Sequence, residues 1–165
     1  MRYVAFLRAI NVGGHVVKMD RLRTLFEELG LAKVETFIAS GNVLFDSRAA
    51  ATTLETRIEK HLRAALGYEV ATFLRTGAEL AAVGERDVNY VGFLRSEPSA
   101  SAREKLLALK PPDDDLTVEG REVYWMIRTR ISDSPLNNAR LEKALGMPMT
   151  MRNMNTVRKL AAKLA

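Results

Sequence analysis

One apolar pattern occurs twice in this chain and constrains the fold more than any other feature. It reads Tyr3-Val-Ala-Phe-Leu-Arg8 near the start and Tyr90-Val-Gly-Phe-Leu-Arg95 in the second half. Such runs, rich in β-branched and aromatic residues, are typical of buried strands. Because a similar alternation of helical and extended patterns follows each copy, the sequence predicts two versions of one structural unit.

The first half predicts four strands and two main helices. Apolar residues recur at helical spacing in two stretches, each closed by a glycine of the kind that ends helices, Gly30 and Gly67. The strands are predicted at residues 3–9, 34–39, 43–45 and 69–74, and the helices at residues 19–29 and 54–66, with a shorter one at 78–83. The order β-α-β-β-α-β is that of a ferredoxin-like unit.

The second half predicts the same order. Its strands are expected at residues 90–95, 116–119, 122–128 and 149–152. The fold class is therefore α+β, with two tandem ferredoxin-like (βαββαβ) repeats, antiparallel sheets and a C-terminal helix. The first repeat is expected over residues 1–86 with an enlarged Gly-Gly loop, and the second over residues 87–165 with a basic C-terminal helix.

Polar residues predict where the helices of the second half begin. Ser101-x-x-Glu104 resembles a capping box, and Ser134-Pro135 is typical of an N-cap followed by proline at the first helical position. The terminal helix is expected to start near Thr156, capped by Asn153 or Asn155.

The first half contains a longer loop than the second. Tyr3 corresponds to Tyr90 with a shift of 87 residues, whereas Gly41 corresponds to Gly120 with a shift of 79. The additional residues are expected between residues 10 and 18. An extra loop on a rigid scaffold is a common place for function, and a tolerated insertion without a role is the alternative.

Composition excludes several function classes. The chain has 165 residues, is 47% hydrophobic and 27% charged, and contains no cysteine, which excludes disulfides, thiolate catalysis and Cys-ligated metals. No apolar run approaches the ~20 residues that span a membrane, and no secretory leader is evident, so a cytoplasmic protein is expected. Residues 121–165 contain nine Lys and Arg against three Asp and Glu. This excess of positive charge either favours an anionic partner or is an ordinary solvated surface.

Three motifs resemble the bacterial family of unknown function DUF1697. They are Leu7-Arg-Ala-Ile-Asn-Val-Gly-Gly14, Ser40-Gly-Asn-Val-Leu-Phe45 and Arg152-Asn-Met-Asn-Thr-Val-Arg-Lys-Leu160. The resemblance implies a doubled α+β fold and no established activity, cofactor or substrate. Ala9 and Met154 depart from the family pattern, which has glycine and tryptophan there. With alanine at residue 9, a close approach of another group to the backbone there is less expected to be required. Met154 is expected to fill the tryptophan's place in the core.

The first motif follows a strand and precedes a helix, which is where glycine-rich loops bind phosphate. Asn11-Val-Gly-Gly14 matches neither the dinucleotide-binding nor the Walker pattern, and no Lys-Ser or Lys-Thr follows it. Its glycines could equally allow a turn with positive φ. Likewise, Ser40-Gly41-Asn42 suits either a hairpin turn or a polar site, and Arg152 to Lys159 suits either a capped basic helix or an anion site.

Catalytic patterns are weak in this sequence. His15 and His61 lack the spacing of a metal site, and Asp113-Asp114-Asp115 predicts a solvated turn. Arg8 and Arg95 end the two repeated strands, where each could bind an anion or tie the repeats together. The third strands do not match the RNA-recognition signature, although the rings of Tyr124 and Trp125 could stack a base or pack between sheets.

The leading hypothesis is a polar site, without a metal or cofactor, for a small ligand carrying phosphate or carboxylate. The alternatives are nucleic-acid binding through the basic C-terminal region, and a ligand-free interaction protein or homo-oligomer. No membrane partner is expected, and no general base is evident. The predicted site residues are Arg8, Asn11, Gly13, Gly14, Ser40, Asn42, Arg152, Asn153, Asn155, Thr156 and Lys159.

Overall fold

Strands and helices alternate along the chain in the predicted order. The computed structural model describes residues 1–11, 14, 16–37 and 41–165. The strands are β1 (Arg2–Leu7), β2 (Ala32–Thr36), β3 (Asn42–Asp46), β4 (Thr72–Thr76), β5 (Tyr90–Leu94), β6 (Asp115–Glu119), β7 (Glu122–Met126) and β8 (Met149–Asn153). The helices are α1 (Met19–Glu27), α2 (Ala51–Leu66), α3 (Gly77–Gly84), α4 (Ala100–Leu107), α5 (Asn138–Leu145) and α6 (Met154–Leu164).

The strands form two four-stranded antiparallel sheets with matching order. The first sheet has the order β2-β3-β1-β4 and the second has the order β6-β7-β5-β8. In each sheet the strand that carries the repeated pattern is central and pairs with two neighbours. The predicted α+β fold, with two ferredoxin-like repeats and a C-terminal helix, is confirmed. None of the described helices is long and apolar enough to cross a membrane.

The chain divides into two compact units. One contains residues 1–84 together with residues 158–165, and the other contains residues 85–157. The end of α6 therefore groups with the first unit, whereas the sequence pattern assigned the whole terminal helix to the second repeat. Within the first unit, a Cβ on Gly77 would lie 3.2 Å from the backbone oxygen of Leu164. The start of α3 and the end of α6 thus approach closely.

The core of the first unit lies between one face of its sheet and the apolar faces of α1 and α2. The spacing of Leu54, Ile58 and Leu62 places them on one side of α2, and all three are buried. Tyr3 stacks on Phe45 with ring centroids 5.6 Å apart. The opposite face of the sheet is also buried. It carries the apolar residues Val4, Phe6, Leu44 and Phe73 together with the polar residues Asn42 and Arg75.

A buried carboxylate organises the core of the second unit. Asp114 is only 3% exposed, so the predicted solvated turn is wrong at this residue. Its Oδ2 accepts a hydrogen bond from Trp125 Nε1, and its Oδ1 accepts one from the backbone N–H of Arg128, both at 3.0 Å. Trp125 is 1% exposed and packs in this core. Asp113 stays exposed, which leaves only its neighbour buried.

Two predicted helix starts in the second unit are wrong. The cap of α4 is Ser99, whose Oγ accepts from Ala102 N at 3.1 Å, and not Ser101. The cap of α5 is Asn137, whose Oδ1 accepts from Arg140 N at 2.9 Å. Ser134 Oγ instead accepts from Leu136 N at 3.1 Å, in the turn that leads into α5. In both places more than one short polar residue suits the cap, and tertiary packing of the following apolar residues selects among them.

The equivalence of the two hairpin turns differs by one residue from the predicted one. In the sheets, Phe6 pairs with Asn42 and Phe93 pairs with Glu122. Leu7 N donates to Gly41 O at 2.8 Å, and Leu94 N donates to Arg121 O at 2.9 Å. Gly41 therefore corresponds to Arg121, and not to Gly120. The hydrogen-bond register of the two sheets decides this equivalence, and matching Gly41 with Gly120 by sequence does not reveal it.

A glycine in β5 makes room for a buried methionine. A Cβ on Gly92 would lie 2.3 Å from Met149 Sδ and 2.9 Å from its Cγ. We expect Gly92→Ala to lower the free energy of unfolding by about 1–3 kcal/mol, because Met149 must leave its packed conformation. Urea denaturation measures this change. Gly84→Ala is the control, since its Cβ would meet only Arg158 Cγ at 3.7 Å. A double-mutant cycle with Met149→Ala should show coupling, and additive costs would contradict the proposed clash.

Candidate functional site

The first two motifs lie at the same end of the first sheet. Leu7 N donates to Gly41 O at 2.8 Å, which joins the end of β1 to the turn between β2 and β3. Arg8 follows directly and is half-buried. The Tyr68 hydroxyl donates to Ile10 O at 2.8 Å, and burial raises the pKa of this phenol. This end of the sheet therefore holds the start of the enlarged loop in a defined path.

Asn11 closes the enlarged loop. Its Oδ1 accepts a hydrogen bond from Val17 N at 2.7 Å, across the loop. Gly14 has φ of +84°, and a Cβ there would meet open space. Positive φ is a structural reason for glycine at this position. Gly13 and His15 lie outside the described residues.

Asn42 closes the hairpin turn that precedes it. It is 4% exposed, its Nδ2 donates to Phe37 O at 3.1 Å, and its backbone O accepts from Phe37 N at 3.1 Å. These contacts give its amide a structural role. Ser40 lies outside the described residues.

The third motif begins with a cation at the end of β8. Arg152 Nη1 donates to Thr150 Oγ1 at 2.7 Å and to Met151 O at 2.9 Å. Burial lowers the pKa of Arg152 to about 10, so the guanidinium is partly desolvated and still charged at neutral pH. A cation in such surroundings interacts more strongly with an added anion than a cation in water does.

The start of α6 uses two of its own donors. Asn153 Oδ1 accepts from Thr156 N at 2.9 Å, so Asn153 is the cap, one of the two caps that the sequence allowed. Met154 N donates to Asn89 O at 3.0 Å. Asn155 and Lys159 are exposed, and Thr156 is half-buried.

Three carboxylates cover the outer edge of the first sheet. β4 is an edge strand, and the N–H groups of alternate residues point away from β1. Thr72 N donates to Glu59 Oε2 at 2.9 Å and Leu74 N donates to Glu55 Oε2 at 3.1 Å. Thr76 N donates to Glu79 Oε1 at 2.9 Å. Sequence reasoning missed these glutamates, since a backbone donor leaves no side-chain motif.

The equivalent edge of the second sheet differs. On β8, Met149 N donates to Glu142 Oε2 at 2.8 Å, and Met149 O accepts from Asn138 Nδ2 at 3.0 Å. Met151 O is bound by Arg152, as described above. Among the residues that the structure describes, no acceptor binds the N–H groups of Met151 and Asn153. The open groups of this edge are therefore donors, whereas its carbonyl oxygens at Met149 and Met151 are occupied.

The first sheet shows which group fits such donors. Arg75 occupies the position on β4 that Arg152 occupies on β8, and its Nη1 donates to Leu74 O at 2.9 Å. Leu74 thus binds a guanidinium through its oxygen and the Glu55 carboxylate through its N–H. At the corresponding residue of β8, Met151, the guanidinium is present. A carboxylate beside an arginine is a stable arrangement in this fold.

The aromatic residues of β7 are not exposed platforms. Trp125 lies in the core, and Tyr124 is 6% exposed with the Arg86 guanidinium 4.3 Å from its ring centroid. Arg86 also binds Glu119 through both oxygens, and this hydrogen bonding lowers the pKa of the Glu119 carboxyl. Base stacking on these rings is therefore not supported by their surroundings.

The predicted site residues divide between the two units. The Asn11–Gly14 loop and the Ser40–Asn42 turn belong to the first, and Arg152 to Thr156 belong to the second. Lys159 lies in the part of α6 that groups with the first unit. Within the described ranges, no three His, Asp or Glu side chains form a group that could hold a metal ion.

The family of the chain follows from its sequence. The model of DUF1697, described as a protein of unknown function, matches residues 1–124. The chain belongs to this family. The matched range contains the first two motifs, and the third motif lies beyond it.

A solved structure has the same fold as this DUF1697 chain. It is described as the conserved bacterial protein SP0830 from Streptococcus pneumoniae, with 25% sequence identity and a TM-score of 0.76. The similarity covers 99% of this chain and 97% of that one. No curated protein matches the chain.

The two departures from the DUF1697 pattern have structural explanations. Ala9 has φ of +53°, in the left-handed region that glycine adopts without strain. The glycine of the pattern therefore suits the backbone conformation at this position, independently of any close approach by another group. Met154 is 2% exposed, so it is a core residue as expected.

Proposed function

We propose that this DUF1697 protein binds a small ligand carrying carboxylate or phosphate at the edge of β8, where the strand passes into α6. One observation carries the proposal. The N–H groups of Met151 and Asn153 have no acceptor among the described residues, while the equivalent N–H groups of Leu74 and Thr76 bind carboxylates. An anion at β8 would supply the group that the first sheet supplies from its own side chains.

The charge at this edge supports an anion over a neutral ligand. Arg152 binds the oxygen of Met151, so its guanidinium lies beside the open N–H of that residue. Hydrogen bonds between N–H groups and an anion are about twice as strong as neutral ones. The exposed side chain of Asn155 follows at the start of α6, within the same unit, and could extend the contact.

The open groups also argue against strand addition at this edge. A strand that pairs with β8 needs free carbonyl oxygens as well as free N–H groups. Asn138 and Arg152 already bind the oxygens of Met149 and Met151. A ligand that only accepts hydrogen bonds therefore fits better than an extended peptide.

A calorimetric titration with acetate and inorganic phosphate, at constant ionic strength, tests the proposal. We expect saturable binding by the wild type and at least a tenfold loss in Arg152→Ala. Arg140→Ala is the matched control, because Arg140 is an exposed arginine of the same unit. The melting temperature should rise in parallel, because a hundredfold excess of ligand over Kd adds about 2.7 kcal/mol to the free energy of unfolding. Equal affinity in the wild type and Arg152→Ala, or no binding at all, would refute the proposal.

Two further variants test whether binding is confined to the β8 edge. Arg8→Ala and Asn11→Ala alter the loop motif, and the structural role of Asn11 predicts lower stability with unchanged affinity. A loss of affinity in either variant as large as that in Arg152→Ala would contradict the placement of the site at the β8 edge.

The basic segment of residues 121–165 favours a second candidate, which is binding of nucleic acid. Its signature is a steep linear fall of log affinity with log salt concentration for short RNA or DNA. If the protein binds small anions at β8, we expect at most a weak, salt-sensitive association with nucleic acid, unaffected by Arg152→Ala. Tight nucleic-acid binding that Arg152→Ala abolishes, with no response to small anions, would favour this candidate.

A further inference from the structure

We infer that the ligand carries two carboxylate groups, one for each open donor of β8, so that it is a dicarboxylate. This inference rests on the proposed function and specifies its ligand class. Met151 and Asn153 are two residues apart on one strand. A strand rises about 3.3 Å per residue, so their N–H groups lie about 7 Å apart. A single carboxylate is too small to accept hydrogen bonds from both.

In the first sheet, two separate carboxylates bind N–H groups that have the same spacing. Leu74 N binds Glu55 Oε2 at 3.1 Å, and Thr76 N binds Glu79 Oε1 at 2.9 Å. These acceptors come from different helices, α2 and α3. One carboxylate for each N–H is therefore the arrangement that this edge geometry accommodates.

Two residues account for the missing carboxylates at β8. Glu59 and Glu142 bind equivalent N–H groups, so Glu55, one helical turn earlier, corresponds to Asn138. Glu79 is the third residue of α3 and forms a capping box with Thr76. The third residue of α6 is Thr156. The second unit thus has uncharged residues at both positions.

Asn138 contributes to the polar character of this edge. Its Nδ2 donates to Met149 O at 3.0 Å, while its Oδ1 is buried without a partner among the described residues. Arg152 lies between the two donors in sequence, and its charge favours a doubly negative ligand over a singly negative one. The ligand class is a flexible aliphatic diacid whose carboxylates reach both N–H groups.

A series of carboxylates of increasing length tests this inference by calorimetry. The probes are acetate, malonate, succinate, glutarate and adipate, all at one ionic strength with the wild-type protein. We expect affinity to rise with length, with glutarate or adipate at least tenfold tighter than acetate. If acetate binds as tightly as every diacid, the dicarboxylate inference is overturned while the proposed function stands. If no carboxylate or phosphate binds, both are overturned.

A designed internal carboxylate provides the second test. Thr156→Glu places a glutamate at the third position of α6, where it can reach back to Asn153 N as Glu79 reaches Thr76 N. We expect the variant to lose at least tenfold in affinity for glutarate and adipate, with acetate affinity changed much less. The melting temperature without ligand should not fall. Thr129→Glu, an exposed site of the same unit, adds the same charge away from β8 and should bind as the wild type does. Unchanged diacid affinity in Thr156→Glu would overturn the inference.

Discussion

Asp114→Ala is expected to lower the free energy of unfolding by about 2–5 kcal/mol. The substitution removes the acceptor of two hydrogen bonds, from Trp125 Nε1 and from Arg128 N. The Trp125 indole then loses its partner in the buried core, and Arg128 N loses its partner in a part-buried position. Each unsatisfied buried donor costs about 1–3 kcal/mol, and the loss of a charged acceptor is at the higher end.

Trp125 is the only tryptophan of the chain, so its fluorescence follows this core directly. Urea denaturation of the wild type and Asp114→Ala, monitored at this indole, gives the change in stability. Asp113→Ala is the control, because the neighbouring side chain is exposed and should shift stability by less than about 0.5 kcal/mol. Asp114→Asn keeps one acceptor oxygen and should fall between the two. Equal stability of the Asp113 and Asp114 variants would show that the buried carboxylate contributes nothing.

The fold was predictable because it depends on patterns that the sequence displays. The repeated run at Tyr3 and Tyr90 specifies the central strands, and the leucine and isoleucine spacing of α2 specifies its buried face. Gly67 and Gly146 end their helices in the left-handed conformation, where their lack of a Cβ has a direct steric advantage. Such local rules act within a few residues and are therefore readable along the chain.

Details that depend on tertiary packing were not predictable. Ser99 and Ser101 are equally suitable caps, and the hydrogen-bond register decides that Gly41 corresponds to Arg121. Asp114 stands between two other aspartates, and only the fold distinguishes the one that meets the Trp125 indole. In each case the choice is made by residues that are distant in sequence.

In the candidate site, too, some features can be read from the local sequence and others depend on the tertiary structure. Asn11 and Asn42 stand out in the sequence as polar residues of conspicuous motifs, and both close local turns. Arg152 stands out in the same way, and its partly buried guanidinium marks the β8 edge. The open donors beside it are backbone groups of Met151 and Asn153, which no side-chain pattern reveals. Comparison of two equivalent sheets reveals them, because one sheet binds carboxylates at these positions.

The carboxylates on β4 lead to a graded prediction, since three glutamates make the same kind of bond at different depths. Glu55 is 1% exposed, Glu59 is half-buried and Glu79 is exposed. Substitution by alanine leaves a strand N–H without an acceptor in each case. Water can replace the lost acceptor at the surface and cannot do so in the interior. We therefore expect Glu55→Ala to cost about 2–4 kcal/mol and Glu79→Ala about 1 kcal/mol or less, with Glu59→Ala between them.

Urea denaturation of the three variants measures this series, with Glu27→Ala as the control for an exposed helical glutamate of the same unit. Glu55→Gln separates hydrogen bonding from charge, because the amide keeps an acceptor for Leu74 N. We expect Glu55→Gln to recover part of the loss in Glu55→Ala. Equal costs at all three positions would contradict burial as the cause of the gradient. If Glu55→Ala is as stable as Glu27→Ala, the carboxylates do not stabilise this edge, and the physical basis for a carboxylate at the β8 donors is lost with them.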